Sequence, residues 1–394
     1  MLSLRKALSL VLKHAKPFGL ERWEEIELSQ ALGRVLAEKV YSDDDVPSFD
    51  RAAMDGFAVK AKDHSAVFRV IEDIPAGKIA AKRIRWGECA RIMTGAMLPK
   101  GADLVIPLEN VEEIEKKFVK VITAPQKSNV SKKGEDIKKG RVVLRKGKEI
   151  RPQEIAVLAV SGKTSIKTYC LPKVSVIATG SELVEPNQMP RLGQIRNSNS
   201  PMLLAQLKKR GVNGNYLGTA EDDFEATRKM VENGLTKSDI LIISGGVSVG
   251  DYDFVKEVLK KCGVEIIFDK IAIKPGRPTT FGIKDGKFIF GLPGNPVSAF
   301  IIFELLVAPL IDKLAHKYIS NETEKTSLLG DFEREKADCE QYYPAILFRE
   351  VGAFPINFHG SAHIHALTAV NAFIHLKKGT KKIRDGEIID VRPI

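Results

Sequence analysis

Residues 239–251 place a short apolar run directly before a glycine- and serine-rich loop. The segment reads Asp-Ile-Leu-Ile-Ile-Ser-Gly-Gly-Val-Ser-Val-Gly-Asp, and a helical pattern follows over residues 254–262. The run at residues 240–243 is rich in β-branched residues, as expected for a strand covered on both faces. The glycines let the backbone approach a ligand closely, and amides at the start of the next helix favour negative charge. The segment predicts an α/β domain whose loop is either an anion site or a plain tight turn.

The 394-residue chain is too long for one ordinary core, so several domains are expected. Its net charge is +11, but the basic residues are spread along the chain and mixed with acids. This distribution indicates general basicity, and we expect no nucleic-acid partner because no zinc-type spacing or aromatic RNA-binding signature accompanies it. The four cysteines lie far apart without a Cys-x-x-Cys pair, which indicates a reducing compartment and buried thiols.

Neither the N-terminal segment nor the most apolar stretch of the sequence suggests a membrane protein. Residues 1–16 alternate apolar and basic side chains at helical spacing, with Pro17 as a stop and no signal-peptide core. The most apolar stretch, residues 299–311, contains Glu304 and Pro309 and is shorter than the ~20 residues that a membrane helix needs. We therefore expect a cytoplasmic protein without a membrane partner.

The succession of local patterns predicts a multidomain α/β protein. Helical patterns at both ends of an inserted β-rich segment indicate a helical N-terminal support, and a strand–loop–helix alternation indicates a central doubly wound α/β domain. The remainder is β-rich and is expected to form a C-terminal β-barrel-like domain. The predicted domains are residues 1–45 and 149–171 for the helical support, 46–148 for the inserted β domain, 172–316 for the α/β domain and 317–394 for the C-terminal β domain.

Several individual elements are also predicted. In the support we expect helices at residues 30–40 and 151–161, and Asp385-Gly386 predicts a hairpin turn between strands 382–383 and 388–391. The strands expected in the inserted domain are 57–59, 68–71, 91–93, 104–107, 118–122 and 142–144. In the α/β domain we expect strands at 174–178, 215–217 and 240–243, an extended stretch at 265–273, and helices at 200–210, 224–233 and 254–262.

Acidic side chains follow three of the predicted parallel strands. Ligands of doubly wound sheets bind beyond the carboxyl ends of the strands, and these ends carry Glu182, Asp222 and Asp253. Carboxylate oxygens can hold Mg²⁺, and the metal can bridge phosphate oxygens. Asp222 and Asp253 also precede predicted helices, so each is equally a candidate helix N-cap, and one residue can serve both roles.

Two proline- and glycine-containing segments follow. In Ile273-Lys-Pro-Gly-Arg-Pro278, Lys274 and Arg277 flank a stiffened turn that suits an oxyanion such as phosphate or a tetrahedral oxometallate. In Gly291-Leu-Pro-Gly-Asn-Pro-Val-Ser298, Pro293 and Pro296 fix a loop before a helix whose first amides suit an anion. A purely structural turn would not need all of these constraints.

The inserted β domain carries a further set of polar residues. Asp50, Arg51 and Asp55 lie between apolar residues, and Thr94 stands on a glycine turn. Asp55-Gly56 alone would be an ordinary hairpin turn. Asp136 lies in the lysine-rich stretch 127–148, whose lysines are equally consistent with a solvated loop.

Together these segments resemble the molybdopterin molybdenumtransferase family, the MoeA type, which also occurs as the E domain of gephyrin. The resemblance covers essentially the full length, with the segments in family order. The segments are Ala52-Ala-Met-Asp-Gly-Phe-Ala58, Arg91-Ile-Met-Thr-Gly-Ala96, Gly134-Glu-Asp136, Ala178-Thr-Gly-Ser-Glu-Leu183, Ile195-Arg-Asn-Ser198, Ser244-Gly-Gly-Val-Ser-Val-Gly250 with Asp253, Ile273-Lys-Pro-Gly-Arg-Pro278 and Gly291-Leu-Pro-Gly-Asn-Pro-Val-Ser298.

The resemblance implies a homodimer whose active cleft lies between the α/β domain of one subunit and the β insertion of the other. It implies insertion of molybdate or tungstate into adenylylated molybdopterin, with Mg²⁺-dependent hydrolysis of the phosphoanhydride and release of AMP. The two oxyanions have nearly equal size and charge, so the sequence does not distinguish them. It also leaves open whether a separate molybdopterin adenylyltransferase supplies the substrate.

Residue roles carry over by matching motif. The resemblance implies catalytic roles for Asp55, Thr94, Asp136, Asp222 and Asp253, metal binding by Glu182, Asp222 and Asp253, and substrate binding by Glu182, Ser248, Lys274, Arg277, Pro293 and Pro296. Asp251, two residues before Asp253, and Asp223, next to Asp222, are alternatives for these roles, and we favour Asp253 and Asp222.

Two other functions remain alternatives. The α/β domain also resembles the module that adenylylates molybdopterin, although such an enzyme would need little beyond that domain. A pterin-binding scaffold without turnover is the alternative from another class. Retention of the five acids Asp55, Asp136, Glu182, Asp222 and Asp253 favours an active enzyme.

Overall fold

The computed structural model describes residues 1–15, 22–115, 117–246, 255–319 and 323–394. Two compact units are present. The first contains Met1–Glu24, Gly33–Val35 and Tyr169–Ile394, and the second contains Glu25–Leu32 and Leu36–Thr168. Every helix in the described ranges is too short or too polar to span a bilayer.

A six-stranded sheet forms the centre of the first unit. Five of its strands point in the same direction, and Thr280–Lys284 runs antiparallel to both of its neighbours. From Val174–Thr179 the chain moves first to one side of the sheet and then to the other, which confirms the doubly wound arrangement. The strand order is Gly214–Ala220, Val174–Thr179, Ile240–Ser244, Lys287–Leu292, Thr280–Lys284 and Glu265–Phe268.

Helices cover both faces of this sheet because its strands are apolar on both sides. In Ile240–Ser244, Ile240 and Ile242 belong to one core, whereas Leu241 and Ile243 belong to another, as the two-residue period of a strand requires. Helices Leu4–His14, Asn199–Lys209, Pro296–Ile302 and Ala308–Leu314 contribute to the first core. Helices Phe224–Lys237 and Val255–Lys261 contribute to the second.

The most apolar stretch of the sequence is a core helix. Pro296–Ile302 continues through a π-helical turn, Phe303–Val307, into Ala308–Leu314. Glu304 is buried within it and forms an ion pair of 3.0 Å with Arg210. The charged residue that interrupts the apolar pattern is therefore neutralised by a partner on another element.

The C-terminal part of the first unit is a second sheet. Glu340–Phe348 is its central strand and also pairs with a branch, Gly352–Pro355. The main path is Ile273–Lys274, Glu340–Phe348, Ala372–Leu376, Ile388–Pro393 and Glu324–Ser327, and a separate pair is formed by Phe332–Glu333 with Lys382–Ile383. The path has two ends, so the barrel-like closure expected from the sequence is not confirmed.

The second unit is built mainly from β-strands. Apolar residues on both faces of a six-stranded sheet form two small cores, and a third core contains the helix Pro152–Val160. The order of the large sheet is Leu104–Pro107, Gly56–Val59, Glu88–Ile92, Val67–Ile74, Phe118–Val121 and Val111–Ile114. Shorter pairs are Arg51–Ala52 with Val130–Ser131, Val40–Tyr41 with Val142–Leu144, and Trp23–Glu27 with Ser165–Tyr169; 3₁₀ turns are Leu28–Gln30, Leu108–Asn110 and, in the first unit, Ile364–Ala369.

Three sequence-based expectations are wrong. The stretch expected to be one extended element at residues 265–273 is divided between two sheets, as Glu265–Phe268 and Ile273–Lys274. The helix expected at residues 30–40 does not form, because Gly33 adopts a left-handed φ of 72° and the amide of Leu36 bonds to the carbonyl of Lys148 instead of to a preceding turn. The expected hairpin at Asp385-Gly386 is absent, because the flanking strands join different sheets. Its turn bonds to another segment, with the Gly330 amide donating to Asp385 Oδ1 at 2.7 Å.

Candidate functional site

A cavity of about 660 Å³ lies at the carboxyl ends of the four parallel neighbours in the first sheet. The loop after each strand lines it, as expected for a ligand site in a doubly wound sheet. Its lining includes Thr179, Gly180 and Glu182, then Asp222, then Ser244, Gly245 and Gly246, then Pro293, Gly294, Asn295 and Pro296. The predicted residues Glu182, Asp222, Pro293 and Pro296 therefore surround one space.

Close packing of the loops explains one of the glycines. Gly245 has a φ of 100°, and a Cβ at this position would lie 2.5 Å from the carbonyl oxygen of Thr179. Its amide donates to the carbonyl of Leu292 at 3.0 Å, which ties the end of one strand to the next. A side chain at residue 245 would push these strand ends apart, so the backbone itself forms this wall of the cavity.

The two adjacent acids after Gly214–Ala220 have different contacts. Asp222 Oδ2 accepts a hydrogen bond from the amide of Ser181 at 2.9 Å, and the Ser181 hydroxyl accepts one from the Asp222 amide at 2.9 Å. Asp223 instead caps the helix Phe224–Lys237, accepting from the amide of Ala226 at 2.8 Å. Helix capping thus falls to Asp223, and Asp222 remains in the cavity lining beside Glu182.

Neutral polar groups form the inner part of the cavity. Asn199 Nδ2 donates to the Ser244 hydroxyl at 2.8 Å and to the carbonyl of Gly294 at 2.7 Å. These two bonds fix the orientation of its amide. Asn199 Oδ1 is buried without a hydrogen-bond partner among the described residues, which leaves an acceptor next to the cavity.

A loop of the C-terminal part completes the lining with Ala362 and Ile364. Ser361 holds this loop in place, because its hydroxyl accepts a bond from Asn295 Nδ2 at 2.7 Å and its carbonyl accepts one from the Val297 amide at 3.1 Å. Sequence reasoning missed these residues. The only local signal is the Gly360-Ser361 pair, and nothing in the sequence connects it to a loop more than sixty residues earlier.

The predicted cations Lys274 and Arg277, here called the clamp pair, are engaged with a third residue. Lys274 Nζ lies 3.0 Å from Asp338 Oδ1, and Arg277 Nη2 lies 3.3 Å from Asp338 Oδ2. The hydrogen bond from Lys274, a backbone hydrogen bond within Asp338 and the charges of both cations hold the pKa of Asp338 below its usual range. The clamp pair is not in the cavity lining, although the following residue, Pro278, is.

In the second unit, Asp55 and Thr94 are in direct contact. Gly56, the first residue of Gly56–Val59, pairs in antiparallel register with Ile92, the last residue of Glu88–Ile92. Asp55, which precedes the first strand, therefore lies beside Thr94, which follows the second. Asp55 Oδ1 accepts bonds from the Thr94 hydroxyl at 2.7 Å and the Thr94 amide at 2.6 Å. These two bonds, with a smaller effect from Arg91, lower the pKa of Asp55.

Asp136 lies on another concave surface of the second unit. This surface encloses about 460 Å³ and also includes Glu135, Lys138 and Arg141. The segment is fixed by backbone bonds, with the amide of Asp136 donating to the carbonyl of Val46 at 3.1 Å. No contact between Asp136 and the Asp55–Thr94 pair is found in the described part of the chain.

Ser248, Asp251 and Asp253 lie outside the described residues. Within the described ranges, no cluster of three or more His, Cys, Asp or Glu side chains is arranged to hold a metal ion. Two of the three predicted metal ligands, Glu182 and Asp222, do line the same cavity.

The fold and the cavity define a multidomain ligand-binding protein of the doubly wound α/β class. Three family models match the chain: the MoeA N-terminal region (domain I and II) at residues 2–162, the probable molybdopterin binding domain at 175–313, and the MoeA C-terminal region (domain IV) at 329–394. The chain therefore belongs to the MoeA family, the molybdopterin molybdenumtransferases, and is an enzyme.

Curated relatives and solved structures agree with this assignment. A molybdopterin molybdenumtransferase of Staphylococcus aureus (strain Mu50 / ATCC 700699) is 36% identical over 376 residues, which cover 93% of this chain and 90% of the relative. One of Staphylococcus epidermidis (strain ATCC 35984) is 36% identical, with 99% and 95% covered. The crystal structure of a molybdopterin biosynthesis MoeA protein from Pyrococcus horikoshii OT3 matches over the full length of both chains, with a TM-score of 0.81 and 32% identity.

Proposed function

We propose that this enzyme inserts molybdate or tungstate into adenylylated molybdopterin, with Mg²⁺-dependent hydrolysis of the phosphoanhydride and release of AMP. The observation that carries the proposal is the cavity at the carboxyl ends of four parallel strands, where Glu182 and Asp222 lie beside loops of glycine and proline in a chain of this family. Cleavage of a phosphoanhydride depends largely on positioning and charge neutralisation; the loops can position the substrate, and the carboxylates can hold a metal ion that neutralises charge.

The carboxylates suit Mg²⁺. This ion is usually bound through one or two protein carboxylates, with substrate phosphates and water completing its six oxygen ligands. Glu182 and Asp222 provide that number, and the Ser181 amide orients the carboxylate of Asp222. When bound, Mg²⁺ would neutralise charge that develops on the phosphate oxygens. We propose Asp253 as a third ligand from the sequence alone.

The remaining walls suit a pterin. Asn199 offers a buried carbonyl oxygen without a partner among the described residues, and a pterin carries N–H groups that could donate to it. Pro293, Pro296 and Ile364 add rigid or apolar surface for the ring system. We propose a substrate-binding role for Ser248 from its sequence motif alone.

The clamp pair suits the second substrate. Molybdate and tungstate are tetrahedral dianions, and Lys274 and Arg277 already share a two-oxygen anionic group, the Asp338 carboxylate. This contact supports the proposal that the two cations can converge on an oxyanion. It does not favour one metal over the other.

We further propose that Asp55, Thr94 and Asp136 act in the same reaction from the β insertion of a second copy, as a homodimer of this family would allow. The Thr94 bonds keep Asp55 ionised and fixed, as required of a group that orients a cation or a proton donor.

The four free cysteines support a cytoplasmic location. A separate adenylyltransferase is the proposed source of the activated pterin.

The experiment measures AMP release from adenylylated molybdopterin with Mg²⁺, with and without molybdate or tungstate. Asp222→Asn tests the cavity, and Asp223→Asn is its matched control because asparagine caps a helix as well as aspartate does. We expect oxyanion-dependent release from the wild type and the control and at least a hundredfold loss in Asp222→Asn, the order seen on removing a transition-state charge partner. Equal rates in the two variants would refute the role of Asp222.

The same assay separates the alternatives. Tight pterin binding without AMP release would support a scaffold. Formation of adenylylated molybdopterin from ATP and molybdopterin would support an adenylyltransferase.

Asp136→Asn should abolish oxyanion-dependent release while the protein remains folded, because the change removes an exposed loop charge and no core volume.

A further inference from the structure

Asp338 occupies the position between the two clamp cations. Each of its carboxylate oxygens faces a different cation, Oδ1 facing Lys274 at 3.0 Å and Oδ2 facing Arg277 at 3.3 Å. A carboxylate is itself an oxyanion, so the contact reproduces the interaction that an inorganic oxyanion would make with the same two cations. The clamp therefore already holds an anion that belongs to the chain.

The backbone on both sides of Asp338 is anchored. The carbonyl of Ala337 accepts a bond from the Gly379 amide at 2.8 Å. The carbonyl of Cys339 accepts one from Nη1 of Arg334 at 3.3 Å, and Arg334 is only 8% exposed. The backbone position of Asp338 is thus set by hydrogen bonds of the residues on either side of it and not by its ion pairs alone.

Strand pairing fixes the backbone of the segment that carries Lys274. Ile273–Lys274 pairs in parallel with the first residues of Glu340–Phe348, with Lys274 opposite Gln341. The residues that carry the clamp pair and the residue that bridges it consequently belong to adjacent parts of one sheet. Movement of Asp338 away from the clamp requires only a change of its side-chain rotamer, because the backbone is held.

The three side chains remain open to solvent. Their exposed fractions are 37% for Lys274, 43% for Arg277 and 51% for Asp338. Exposed ion pairs are weak, so a ligand of higher charge can replace the carboxylate. A dianion brings twice the charge of Asp338 to the same two cations, whereas a monoanion brings no more than Asp338 already supplies.

We propose that Asp338 is an internal competitor at the oxyanion site, a carboxylate that an entering tetrahedral dianion must displace from Lys274 and Arg277. This inference rests on the proposed role of the clamp pair in oxyanion binding. Asp338 lowers the affinity for every anion by the free energy of its own two ion pairs. At low concentration, only an anion that binds the two cations more strongly than this carboxylate does, such as the dianions molybdate and tungstate, occupies the site.

The test is calorimetric titration of the full chain with sodium molybdate at fixed ionic strength. Asp338→Asn should bind molybdate roughly three- to tenfold more tightly than the wild type, because the two exposed ion pairs no longer compete. Glu333→Gln is the matched control, since it removes one negative charge from an exposed ion pair of the same part of the chain, with Lys382. It should leave the affinity within about twofold. A gain in affinity cannot result from damage to the fold.

A third variant separates this inference from the proposed function. Lys274→Gln should weaken molybdate binding if the clamp pair is the oxyanion site. Weaker binding in Lys274→Gln, with unchanged or weaker binding in Asp338→Asn, would overturn the role of Asp338 and leave the clamp in place. Unchanged binding in Lys274→Gln would overturn the clamp itself, and the role of Asp338 with it.

Discussion

Replacement of Arg210 by methionine should destabilise the first unit far more than the same replacement of Arg228. Both arginines bridge two carboxylates, and their side chains are similarly exposed, 27% for Arg210 and 32% for Arg228. Their partners differ. Glu304 and Asp312 are 8% and 13% exposed, whereas Glu225 and Glu232 are 59% and 48% exposed.

The magnitude follows from this burial. Removing one partner of a buried pair costs about 3–5 kcal/mol, because the remaining charge is left without compensation. Two features lessen the cost here: Arg210 is partly exposed, and Glu304 keeps a bond of 2.8 Å from Gln206. We therefore expect Arg210→Met to lower the free energy of unfolding by about 2–3 kcal/mol. Arg228→Met removes exposed pairs on one helix and should cost below ~1 kcal/mol.

Native-state hydrogen exchange, read by mass spectrometry on peptides from Ile240–Ser244, is the suitable assay. The chain has only two tryptophans, Trp23 and Trp86, and neither lies in this sheet, so fluorescence would not report on it. A loss of 2–3 kcal/mol should accelerate exchange through opening of the unit by roughly 30- to 150-fold in Arg210→Met. Equal acceleration in the two variants, or less than about threefold in Arg210→Met, would refute the argument from burial.

Two further predictions concern the second unit and the thiols. Bonds from the Arg151 side chain and amide and from Lys148 lower the pKa of Glu154 from 4.5 to about 2, so its stabilising effect is complete above pH 4.5 and is lost as the pH falls towards 2. Glu154→Gln should therefore lower the thermal midpoint at pH 7, read by the fluorescence of Trp23 and Trp86 together, with the difference from wild type vanishing near pH 2. Burial raises the pKa of Cys89 to about 12, so thiol-specific reagents should modify the half-buried Cys170 first and Cys89 only after unfolding; early labelling of Cys89, read by peptide mass spectrometry, would contradict its burial.

The sequence predicted the α/β domain well because local patterns determine it. The apolar run at residues 240–243 became the strand Ile240–Ser244, and the acids expected after the strands, Glu182 and Asp222, do line one cavity. The general rule that ligands bind at the carboxyl ends of parallel strands was sufficient to bring these residues together. Choosing between Asp222 and Asp223 required coordinates, because both positions fit a helix cap until the Asp223–Ala226 bond is seen.

Contacts between distant segments were not predictable. The stretch at residues 265–273 was expected to be one extended element, but Glu265–Phe268 and Ile273–Lys274 belong to different sheets. Ser361 contacts a loop of the cavity, and Asp338 contacts the clamp pair, each from more than sixty residues away in sequence and through only two hydrogen bonds or ion pairs. Such contacts carry no periodicity. The wrong prediction of a helix at residues 30–40 has a related cause. Leu36 and Val40 are buried in a core with distant residues, and these tertiary contacts hold the segment in an irregular conformation.

The division of the first unit into two sheets bears directly on the proposed chemistry. The carboxylates Glu182 and Asp222 follow strands of the α/β sheet, whereas Lys274 belongs to the C-terminal sheet. The placement of an oxyanion relative to the pterin phosphate therefore depends on how firmly the two sheets are joined. Phe300 and Phe373 pack edge to face at 6.2 Å, and Arg392 donates to the carbonyl of Glu304 at 2.9 Å.

These joining contacts lie outside both the cavity lining and the clamp pair. The proposed insertion would require both substrates to be held within a fraction of an ångström of a reactive geometry, so small shifts between the sheets should impair turnover more than they impair binding of either substrate alone. Phe373 is fully buried and belongs to the same core as Phe290 of the α/β sheet and Ile273 beside the clamp. The apolar core shared by the two sheets thus joins the strand that carries Lys274 to the sheet that carries the two carboxylates. We therefore expect substitutions in this core, and not only in the cavity lining, to lower the rate of the proposed reaction.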